Sequence, residues 1–533
     1  MLDNHLTVKR LGGPSALIAA VLLAACQTAP GPERTLEVTD METPRVEPGE
    51  ATESFWKERV VYPFPVDYAT VADDRGMEYE FAYMDEYRGE NPDEAPVLVL
   101  VHGKGASAGA FSLLMRDALE ADMRVIAFDI PHYGKSIHGN LDPETYTRTL
   151  QDTREAGREL LTEHLGVDSA VFLGHSMGAQ WAAGYALEWP EDVDRLILKA
   201  PAGLEEFPRN LALPDGEIPW MDPAFKRDFD EWKAVWEPLG RLEQERAQTE
   251  QQIRDFYYFQ ERDPDTGETR DAAVGFFLRD SDDARFLTET RVGMIDGPED
   301  EYEAWVIAFI RDIYTMGIEV NREDDDSLVK RMDELEMPVF LALGEQDPLL
   351  PTTAASGNED MRWDVVRPAY ERLSERGADP VVKFYDDAAH FIHVDMPDAF
   401  SDDVIRFVYG NRIDGTENPA DYREPAVQLP EDVEAFLESD REAVLSGDLD
   451  AVMEHYHPDY LDQGRDRSAQ RRMLSQAVPV LSRYEVQLTG FERDGDKAVI
   501  EGAVRTNFGT QRLPEGAMII YEDGEWLWYG NQR

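Results

Sequence analysis

The amino-acid sequence predicts an α/β fold with a mainly parallel central sheet and a helical cap insertion, followed by a small α+β domain. Between about residues 55 and 410, nearly continuous apolar runs alternate with segments of helical periodicity. This alternation is typical of parallel strands that are covered by helices on both faces. Residues 203–331 interrupt the alternation with helical periodicity of their own, and after about residue 428 helices are followed by a series of strands.

The strands of the larger domain can be placed from their apolar runs. Residues 79–83 alternate in polarity and are predicted to form an antiparallel edge strand. Buried strands are predicted at residues 96–101, 124–129, 169–173, 195–199, 338–344 and 380–385. Helices are predicted at residues 111–119 and 179–187.

The segment Gly174-His175-Ser176-Met177-Gly178 lies between the predicted strand at 169–173 and the helix at 179–187. Glycine at both ends suits a turn that is too tight for flanking side chains. Such a turn raises the serine hydroxyl above the sheet, close to the free N–H groups of the following helix. The pattern predicts a nucleophilic Ser176. On these five residues alone, an idle serine in a glycine-rich turn remains the alternative.

Further segments match the α/β-hydrolase superfamily in order and spacing. They are His102-Gly103, the turn from Asp129 to Ser136, Gly344-Glu345-Gln346-Asp347-Pro348 and Ala389-His390-Phe391-Ile392-His393. The chain resembles the branch of this superfamily that carries a cap after the sixth strand, over residues 55–203 and 332–410. Relatives that open epoxides or remove halides have aspartate at the elbow, so Ser176 implies acyl transfer instead.

The resemblance implies a catalytic triad of Ser176, His390 and Asp347. A serine hydroxyl needs a base to take its proton, histidine has a suitable pKa range, and a carboxylate orients the imidazole. Asp347 follows a strand, as the acid of the family does, and Glu345 is the alternative acid. His390 precedes an aromatic residue, as the base of the family does, although Ala389 replaces the usual glycine. His393 is the alternative base, or else a structural histidine that faces the following helix.

The oxyanion formed during attack needs two N–H donors. The fold implied by the resemblance supplies them from the backbone of Met177 and Lys104. The Lys104 side chain either lines the pocket or is solvated. This chemistry needs no cofactor and no metal.

Residues 203–331 are predicted to form a helical lid over Ser176, with helices at 228–239, 242–259 and 301–316. Its aromatic residues either line an apolar acyl pocket or hold the cap together. They are Trp220, Phe229, Trp232, Trp236, Phe256, Tyr257, Tyr258, Phe259, Phe276, Phe277, Trp305 and Phe309.

The N-terminus resembles a bacterial lipoprotein signal peptide, predicted at residues 1–25. Lys9 and Arg10 precede the apolar run 16–23, and Leu23-Ala24-Ala25-Cys26 resembles a lipobox. Cys26 is the only cysteine of the chain, which suits lipidation; a cleaved signal with a chance cysteine is the alternative. Gln27 after the cysteine implies the outer membrane, with the protein in the cell envelope on the periplasmic or surface face. Residues 26–54 are predicted to be a disordered tether.

Residues 411–428 are predicted to be a linker, and residues 429–533 a separate domain. Helices are predicted at 430–446, 449–460 and 468–482, and strands at 484–491, 498–506, 517–521 and 525–530. The segments 446–456 and 526–532 resemble the nuclear transport factor 2-like (SnoaL-like) cone fold. This resemblance implies binding or dimerisation, with Asp462 either a pocket carboxylate or a solvated loop acid.

The amino-acid composition limits the classes of molecule that the protein is expected to bind. The formal net charge is −57 and the sequence pI about 4.4, which excludes nucleic-acid binding through phosphate contacts. Acidic residues are spread over the whole chain, and the cations are mostly arginine, as in proteins of salt-loving organisms. The expected partner is a small-molecule acyl substrate, and the lipid anchor is the only expected link to the membrane. The expected function is that of a serine hydrolase; the alternatives are a proline-iminopeptidase-like aminopeptidase and a non-catalytic binding protein.

Overall fold

The computed structural model describes residues 40–89, 91, 94–207, 212–213, 216–217, 247–262, 269–273, 276–422, 429–507, 509–514, 516–522 and 524–532. All of them belong to one compact unit, Thr39–Arg533. The predicted signal peptide, Cys26 and the first part of the predicted tether lie outside the described residues.

An eight-stranded sheet forms the centre of the larger domain; the sequence predicted seven of its strands and did not indicate Asp67–Ala72. Its strands are β1 Asp67–Ala72, β2 Glu78–Glu86, β3 Val97–Val101, β4 Arg124–Phe128, β5 Ala170–His175, β6 Val193–Lys199, β7 Val339–Gly344 and β8 Val381–Tyr385. The spatial order is β8-β7-β6-β5-β3-β4-β2-β1. Strands β3 to β8 are parallel, whereas β1 and β2 are antiparallel to their neighbours. The predicted α/β fold class is confirmed.

The prediction of an edge strand at residues 79–83 is wrong in its position. These residues lie in β2, which pairs with β4 on one side and with β1 on the other, so that β1 is the edge. Strand β1 is more exposed than β2, as expected for an outer strand. Alternating polarity along 79–83 showed that the strand is antiparallel, but it contained no information about a further partner.

Helices cover both faces of the sheet and enclose an apolar core. They are α1 Ser112–Glu120, α2 Leu150–Arg158, α3 Met177–Glu188, α4 Glu250–Tyr257, α5 Asp282–Gly293, α6 Glu299–Glu319, α7 Arg367–Ser374 and α8 Pro397–Val408. Shorter helices include Phe55–Arg59, Thr353–Ser356 and Ile392–Asp395. Within the described part of the chain, none of the helices has the length and apolar character that crossing a bilayer requires.

Residues 40–54 are folded, which corrects the extent of the predicted tether. Arg45–Val46 pairs with Val60–Val61 in a short antiparallel ladder. The N–H of Glu42 also donates to the carbonyl of Pro63 at 2.8 Å. Residues 40–54 therefore belong to the body, because backbone pairing to a segment close in sequence outweighs their polar composition.

The cap contains more than helices. Its described part contains α4, α5 and α6 and also two short hairpins. Ala212–Leu213 pairs with Gly216–Glu217 before α4, and Tyr258–Arg262 pairs with Thr269–Ala273 between α4 and α5. The predicted helix 242–259 is thus wrong at its end, where the chain turns into a strand. The predicted helix 228–239 and the aromatic residues Trp220, Phe229, Trp232 and Trp236 lie outside the described residues.

A buried carboxylate fastens the cap to the body. Asp283, at the start of α5, accepts a hydrogen bond of 2.7 Å from the hydroxyl of Ser112, at the start of α1. Burial raises the pKa of Asp283 to about 6, mainly by desolvation of its charged form. Ionisation of this group therefore costs stability: its contribution to the free energy of unfolding is highest at low pH, falls as the pH rises from the unfolded-state pKa of 3.8 to about 6, and is level above that.

We expect Asp283→Asn to stabilise the protein by about 1–2 kcal/mol at pH 8 and to leave its stability unchanged at pH 4. Asparagine retains an oxygen for Ser112 but carries no charge to desolvate. Thermal unfolding of the wild type and the variant at both pH values tests this. Asp282→Asn, at a neighbouring and exposed position that pairs with Arg285, is the control. Its difference in stability from the wild type should be the same at both pH values. Equal pH dependence of both variants would contradict the prediction.

The C-terminal domain has a core of its own, which contains Val433, Val452, Ile500 and Trp526. Its elements are α9 Glu431–Leu445, the short helix Leu449–Glu454, α10 Arg467–Ala477, and the strands β9 Tyr484–Asp494, β10 Lys497–Thr506, β11 Gly509–Arg512, β12 Met518–Glu522 and β13 Glu525–Trp528. The sheet is antiparallel in the order β9-β10-β12-β13, with β11 paired to β10. Helices followed by a meander agree with the predicted α+β class, and β11 is a strand that the sequence pattern did not indicate.

Of the two alternatives for Asp462, the solvated loop acid is wrong. Asp462 is buried, lies 3.2 Å from Arg465, and lines a cavity of about 110 Å³ together with Tyr456, Tyr460 and Trp528. Likewise, residues 411–422 of the predicted linker pack on the larger domain, where Glu417 binds Arg362 at 2.8 Å. Residues 423–428 of that linker lie outside the described residues.

Candidate active site

The turn between β5 and α3 has the strained geometry of a nucleophile elbow. Ser176 adopts φ 54° and ψ −119°, a conformation that non-glycine residues rarely adopt. A Cβ atom on Gly174 would lie 2.2 Å from the carbonyl oxygen of Gly178, and one on Gly178 would lie 2.3 Å from that of Val101. Only glycine therefore fits at both positions, because a Cβ atom would overlap these carbonyl oxygens. The N–H of Ser176 donates to the carbonyl of Lys199 at 3.0 Å, which fixes the turn to β6.

His390 and Asp347 come together at the same edge of the sheet. Nδ1 of His390 lies 2.7 Å from Oδ2 of Asp347, and both side chains are buried. The other carboxylate oxygen, Oδ1, accepts the N–H groups of Leu349 and Leu350 at 2.8 and 3.3 Å. With Nδ1–H donating to Asp347, the Nε2 atom of His390 is available as a base.

The residue before Ser176 brings the elbow close to this pair. The ring centroid of His175 lies 4.8 Å from that of His390. Within the described residues the Ser176 hydroxyl has no hydrogen-bond partner, so the contact from Ser176 to His390 is not formed in this conformation. Such contacts commonly tighten only when substrate binds.

The two alternatives that the sequence left open are engaged elsewhere. Glu345 forms a bidentate pair with Arg362 at 2.8 and 3.0 Å. His393 contacts the Nζ atom of Lys199 through Nδ1 and the carbonyl of Ala110 through Nε2, and not the helix that follows it. Burial lowers the pKa of His393 well below its usual value, so this ring is neutral at pH 7. Its contacts are those of a structural histidine.

The loop that follows β3 lies directly against the nucleophile. A Cβ atom on Gly103 would come within 3.0 Å of the Cβ of Ser176, which explains why glycine is needed there. Met177 is the first residue of α3, so its N–H belongs to the four that have no acceptor within the helix. The Nζ atom of Lys104 lies 3.8 Å from the ring centroid of Phe309, so its side chain contacts the cap.

His102 forms hydrogen bonds that hold this loop in place. Its Nε2 accepts the N–H of Ile130 at 3.0 Å, and its Nδ1 lies 2.8 Å from the carbonyl of Gly103. Burial lowers the pKa of His102 to about 4, which keeps the ring neutral. A neutral ring can accept at one nitrogen and donate at the other, so His102 joins the ends of β3 and β4.

Two buried aspartates organise the site, and sequence reasoning did not assign either role. Asp129 accepts the hydroxyl of Tyr62 and the N–H groups of Ala108 and Lys135, at 2.6, 2.6 and 2.7 Å. It thereby connects the N-terminal segment to the loops that follow β3 and β4. The turn from Asp129 to Ser136 matches the superfamily as a motif, but the contacts of Asp129 join residues too distant in sequence to be predicted from a pattern.

Asp395 is the second of these aspartates. It accepts the N–H of Ala389 at 2.9 Å and that of Leu278 at 2.8 Å. It thus ties the loop of His390 to the cap. Burial raises the pKa of Asp395 to about 6. Its position five residues after His390 was a signal that could have been used.

Aromatic residues of the cap lie close to the candidate site. The ring of Phe276 lies edge-on to His390 with 6.0 Å between centroids. Trp305 and Phe309 of α6 stack at 4.8 Å, and a Cβ atom on Gly105 would lie 3.0 Å from Phe309. These aromatics therefore both hold the cap and border the site.

A family model described as "Serine aminopeptidase, S33" matches residues 92–255. The (lyso)-N-acylphosphatidylethanolamine lipase of Mus musculus is 34% identical over 155 residues, which are 28% of this chain and 40% of that protein. The 1-acylglycerol-3-phosphate O-acyltransferase ABHD5 of Homo sapiens is 34% identical over 131 residues, 23% of this chain and 35% of that protein. The chain thus spans well under half the length of these curated relatives.

Solved structures are similar over a longer part of the chain. A probable hydrolytic enzyme from Pseudomonas aeruginosa PAO1 is 23% identical with a TM-score of 0.45, covering 65% of this chain and 95% of its own. The carboxylesterase CesB from Bacillus subtilis is 16% identical with a TM-score of 0.39, covering 66% and 94%. By its own sheet order and elbow, this chain has the α/β-hydrolase fold, and its residues 92–255 match the serine aminopeptidase S33 family within that fold.

Proposed function

We propose that this protein is a lipid-anchored serine hydrolase that cleaves a carboxylic ester or a related acyl bond through an acyl-enzyme. The observation that carries the proposal is the 2.7 Å contact between His390 and Asp347 beside the strained elbow of Ser176. A histidine held in one tautomer next to a serine at positive φ is the arrangement that activates a hydroxyl.

In the proposed reaction, Oγ of Ser176 attacks the acyl carbon while Nε2 of His390 takes the hydroxyl proton. Asp347 stabilises the imidazolium. The oxyanion is bound by the N–H groups of Met177 and Lys104. Collapse of the intermediate breaks the bond to the leaving group, which receives the proton from His390. A water molecule, deprotonated by His390, then attacks the acyl-enzyme and releases the acid and Ser176.

The surroundings of Ser176 favour an apolar acyl group. Phe276 lies edge-on to His390, and Phe309 of the cap contacts Lys104, so aromatic surface is present on the cap side of the site. The curated relatives are, by their names, a lipase of N-acylphosphatidylethanolamines and an acyltransferase of acylglycerophosphates. We therefore propose an ester of a fatty acyl chain as the substrate class. Lipidation of Cys26 in the envelope, proposed from the lipobox, would hold the enzyme close to such substrates.

An aminopeptidase is the second candidate, because the matching family model carries that description. It differs from an esterase in requiring a group that binds a substrate α-amino cation. Direct comparison of the two substrate types separates these candidates.

The purified protein should hydrolyse p-nitrophenyl esters of short and medium acyl chains faster than aminoacyl p-nitroanilides. A fluorophosphonate probe should label the peptide that contains Ser176 and no other peptide. Higher turnover of the anilides would favour the aminopeptidase. Absence of both labelling and turnover would contradict a hydrolase and favour a non-catalytic binding protein.

A further inference from the structure

The orientation of Asp347 depends on the loop that carries it. We define the acid loop as residues 345–360, between β7 and the turn Met361–Val366. Oδ1 of Asp347 accepts the N–H groups of Leu349 and Leu350, and Oδ2 is left for His390. A displacement of the acid-loop backbone would therefore rotate or withdraw the carboxylate from the imidazole.

The larger domain holds one side of this loop. The buried Glu205 accepts the N–H of Thr352 at 2.7 Å and the hydroxyl of Ser356 at 2.6 Å. Arg362 binds Glu345, at the start of the loop. Residues 357–360 are held on this side by Asn358, which donates to Glu205 at 3.2 Å, and by Asp364, which accepts the N–H groups of Glu359 and Asp360 at 2.7 and 2.8 Å. The side chain of Glu359 takes no part in these contacts.

The C-terminal domain holds the other side. Arg505 on β10 donates to the carboxylate of Glu359, and Gln487 on β9 donates to the same carboxylate. Arg483 donates to the carbonyl of Thr353 at 3.2 Å. Arg512, at the end of β11, lies 3.9 Å from Glu345, and with Asp347 and Glu345 it lines a polar cavity behind the triad acid.

Charge makes this contact specific. The chain has a formal net charge of −57, yet the surface that meets the acid loop presents Arg483, Arg505 and Arg512. The side chain of Arg505 is only 1% exposed and that of Glu359 is 35% exposed. Loss of Glu359 would leave a buried guanidinium without its carboxylate, an arrangement that proteins do not tolerate well.

We propose that the C-terminal domain braces the acid loop and thereby positions Asp347 for catalysis, with Glu359 and Arg505 as positioning residues. The proposal rests on the triad proposed above. It gives the C-terminal domain a role within the hydrolase: contact with β9, β10 and β11 stabilises the loop conformation in which Asp347 reaches His390.

The test uses the full chain with Glu359→Gln, Arg505→Gln and both substitutions together. Each single variant should lower kcat about tenfold with KM unchanged, because a small displacement of a catalytic group costs rate and not binding. The double variant should lose no more than either single variant, because both remove the same contact. Hydrogen exchange at the amides of Leu349 and Leu350 should accelerate in Glu359→Gln, and this readout does not depend on turnover.

Glu371→Gln is the matched control. Glu371 pairs with Arg367 within α7, outside the acid loop, so neither kcat nor exchange should change. Unchanged kcat and exchange in Glu359→Gln, or additive losses in the double variant, would overturn the brace. If Arg505→Gln fails to fold, Glu359→Gln alone decides the matter. If the wild type lacks ester turnover, the proposed function fails, and the exchange result still decides whether the acid loop is braced.

Discussion

Ser176→Ala is expected to lower kcat for ester hydrolysis by about 10⁵-fold or more, while the protein remains folded. The variant lacks the oxygen that would carry the acyl group. The small residue keeps the tight turn between β5 and α3, where Gly174 and Gly178 leave no room for a larger change. Steady-state kinetics with a p-nitrophenyl ester and loss of fluorophosphonate labelling measure the effect.

Ser374→Ala is the control for this substitution. Ser374 is an exposed serine at the end of α7, whose hydroxyl donates to the carbonyl of Tyr370. Its replacement should leave turnover and labelling unchanged. If Ser176→Ala kept wild-type turnover, the hydrolysis would take place elsewhere and the assignment of the nucleophile would be wrong.

Asp347→Asn is expected to lower kcat by about 10⁴-fold, with little change in KM. The amide keeps the shape of the side chain but removes the charge that stabilises the imidazolium. It also places an N–H₂ group where Nδ1–H of His390 needs an acceptor. The kcat of the variant, measured across pH, tests the role of this carboxylate.

Glu345→Gln is the matched control, because it removes a carboxylate two residues away in the same loop. Glu345 faces Arg362, which retains Glu417 as a second partner. We expect kcat to stay within about tenfold of the wild type, since the weakened pair is partly exposed and Arg362 keeps its contact with Glu417. Equal losses in both variants would mean that the loop as a whole, and not the carboxylate of Asp347, is what catalysis requires.

The brace and the triad make different predictions about the same loop. Asp347→Asn removes the acid and leaves the loop conformation intact. Glu359→Gln leaves the acid intact and releases one side of the loop. Comparison of their kcat values with amide exchange at Leu349 separates loss of a chemical group from loss of its position.

Short-range patterns predicted the parts of the site that depend on neighbouring residues. The elbow was recognisable because a tight turn needs Gly174 and Gly178 around Ser176, and the buried strands because their apolar runs are continuous. The limits predicted for the six parallel strands agree with the observed ones to within two residues, as for 195–199 against Val193–Lys199, whereas the antiparallel strand predicted at 79–83 extends over Glu78–Glu86. In these segments the residue types within a few positions are sufficient to predict the conformation.

Contacts between distant segments could not be read in this way. Asp129, Glu205 and Asp395 appear in the sequence as ordinary acidic residues, and only folding brings their N–H and hydroxyl partners to them. Residues 40–54 and 411–422 have the polar composition of linkers, yet backbone pairing and the Arg362–Glu417 contact fold them onto the body. The polar composition of a segment indicates that water can solvate it. Whether the segment packs on the body depends on the residues that the fold places against it.

By itself, the sequence determined the α/β class, the strained turn at Ser176 and the short set of acids and histidines from which a base and its orienting carboxylate can come. Tertiary structure decided among them. It placed Asp347 against His390, gave Glu345 to Arg362 and His393 to Lys199, and brought Arg505 to Glu359 from a separate domain. The physical reason is that a turn or a strand is specified by interactions within a few residues. A hydrogen bond between buried groups far apart in sequence exists only once the whole chain has excluded water from both of them.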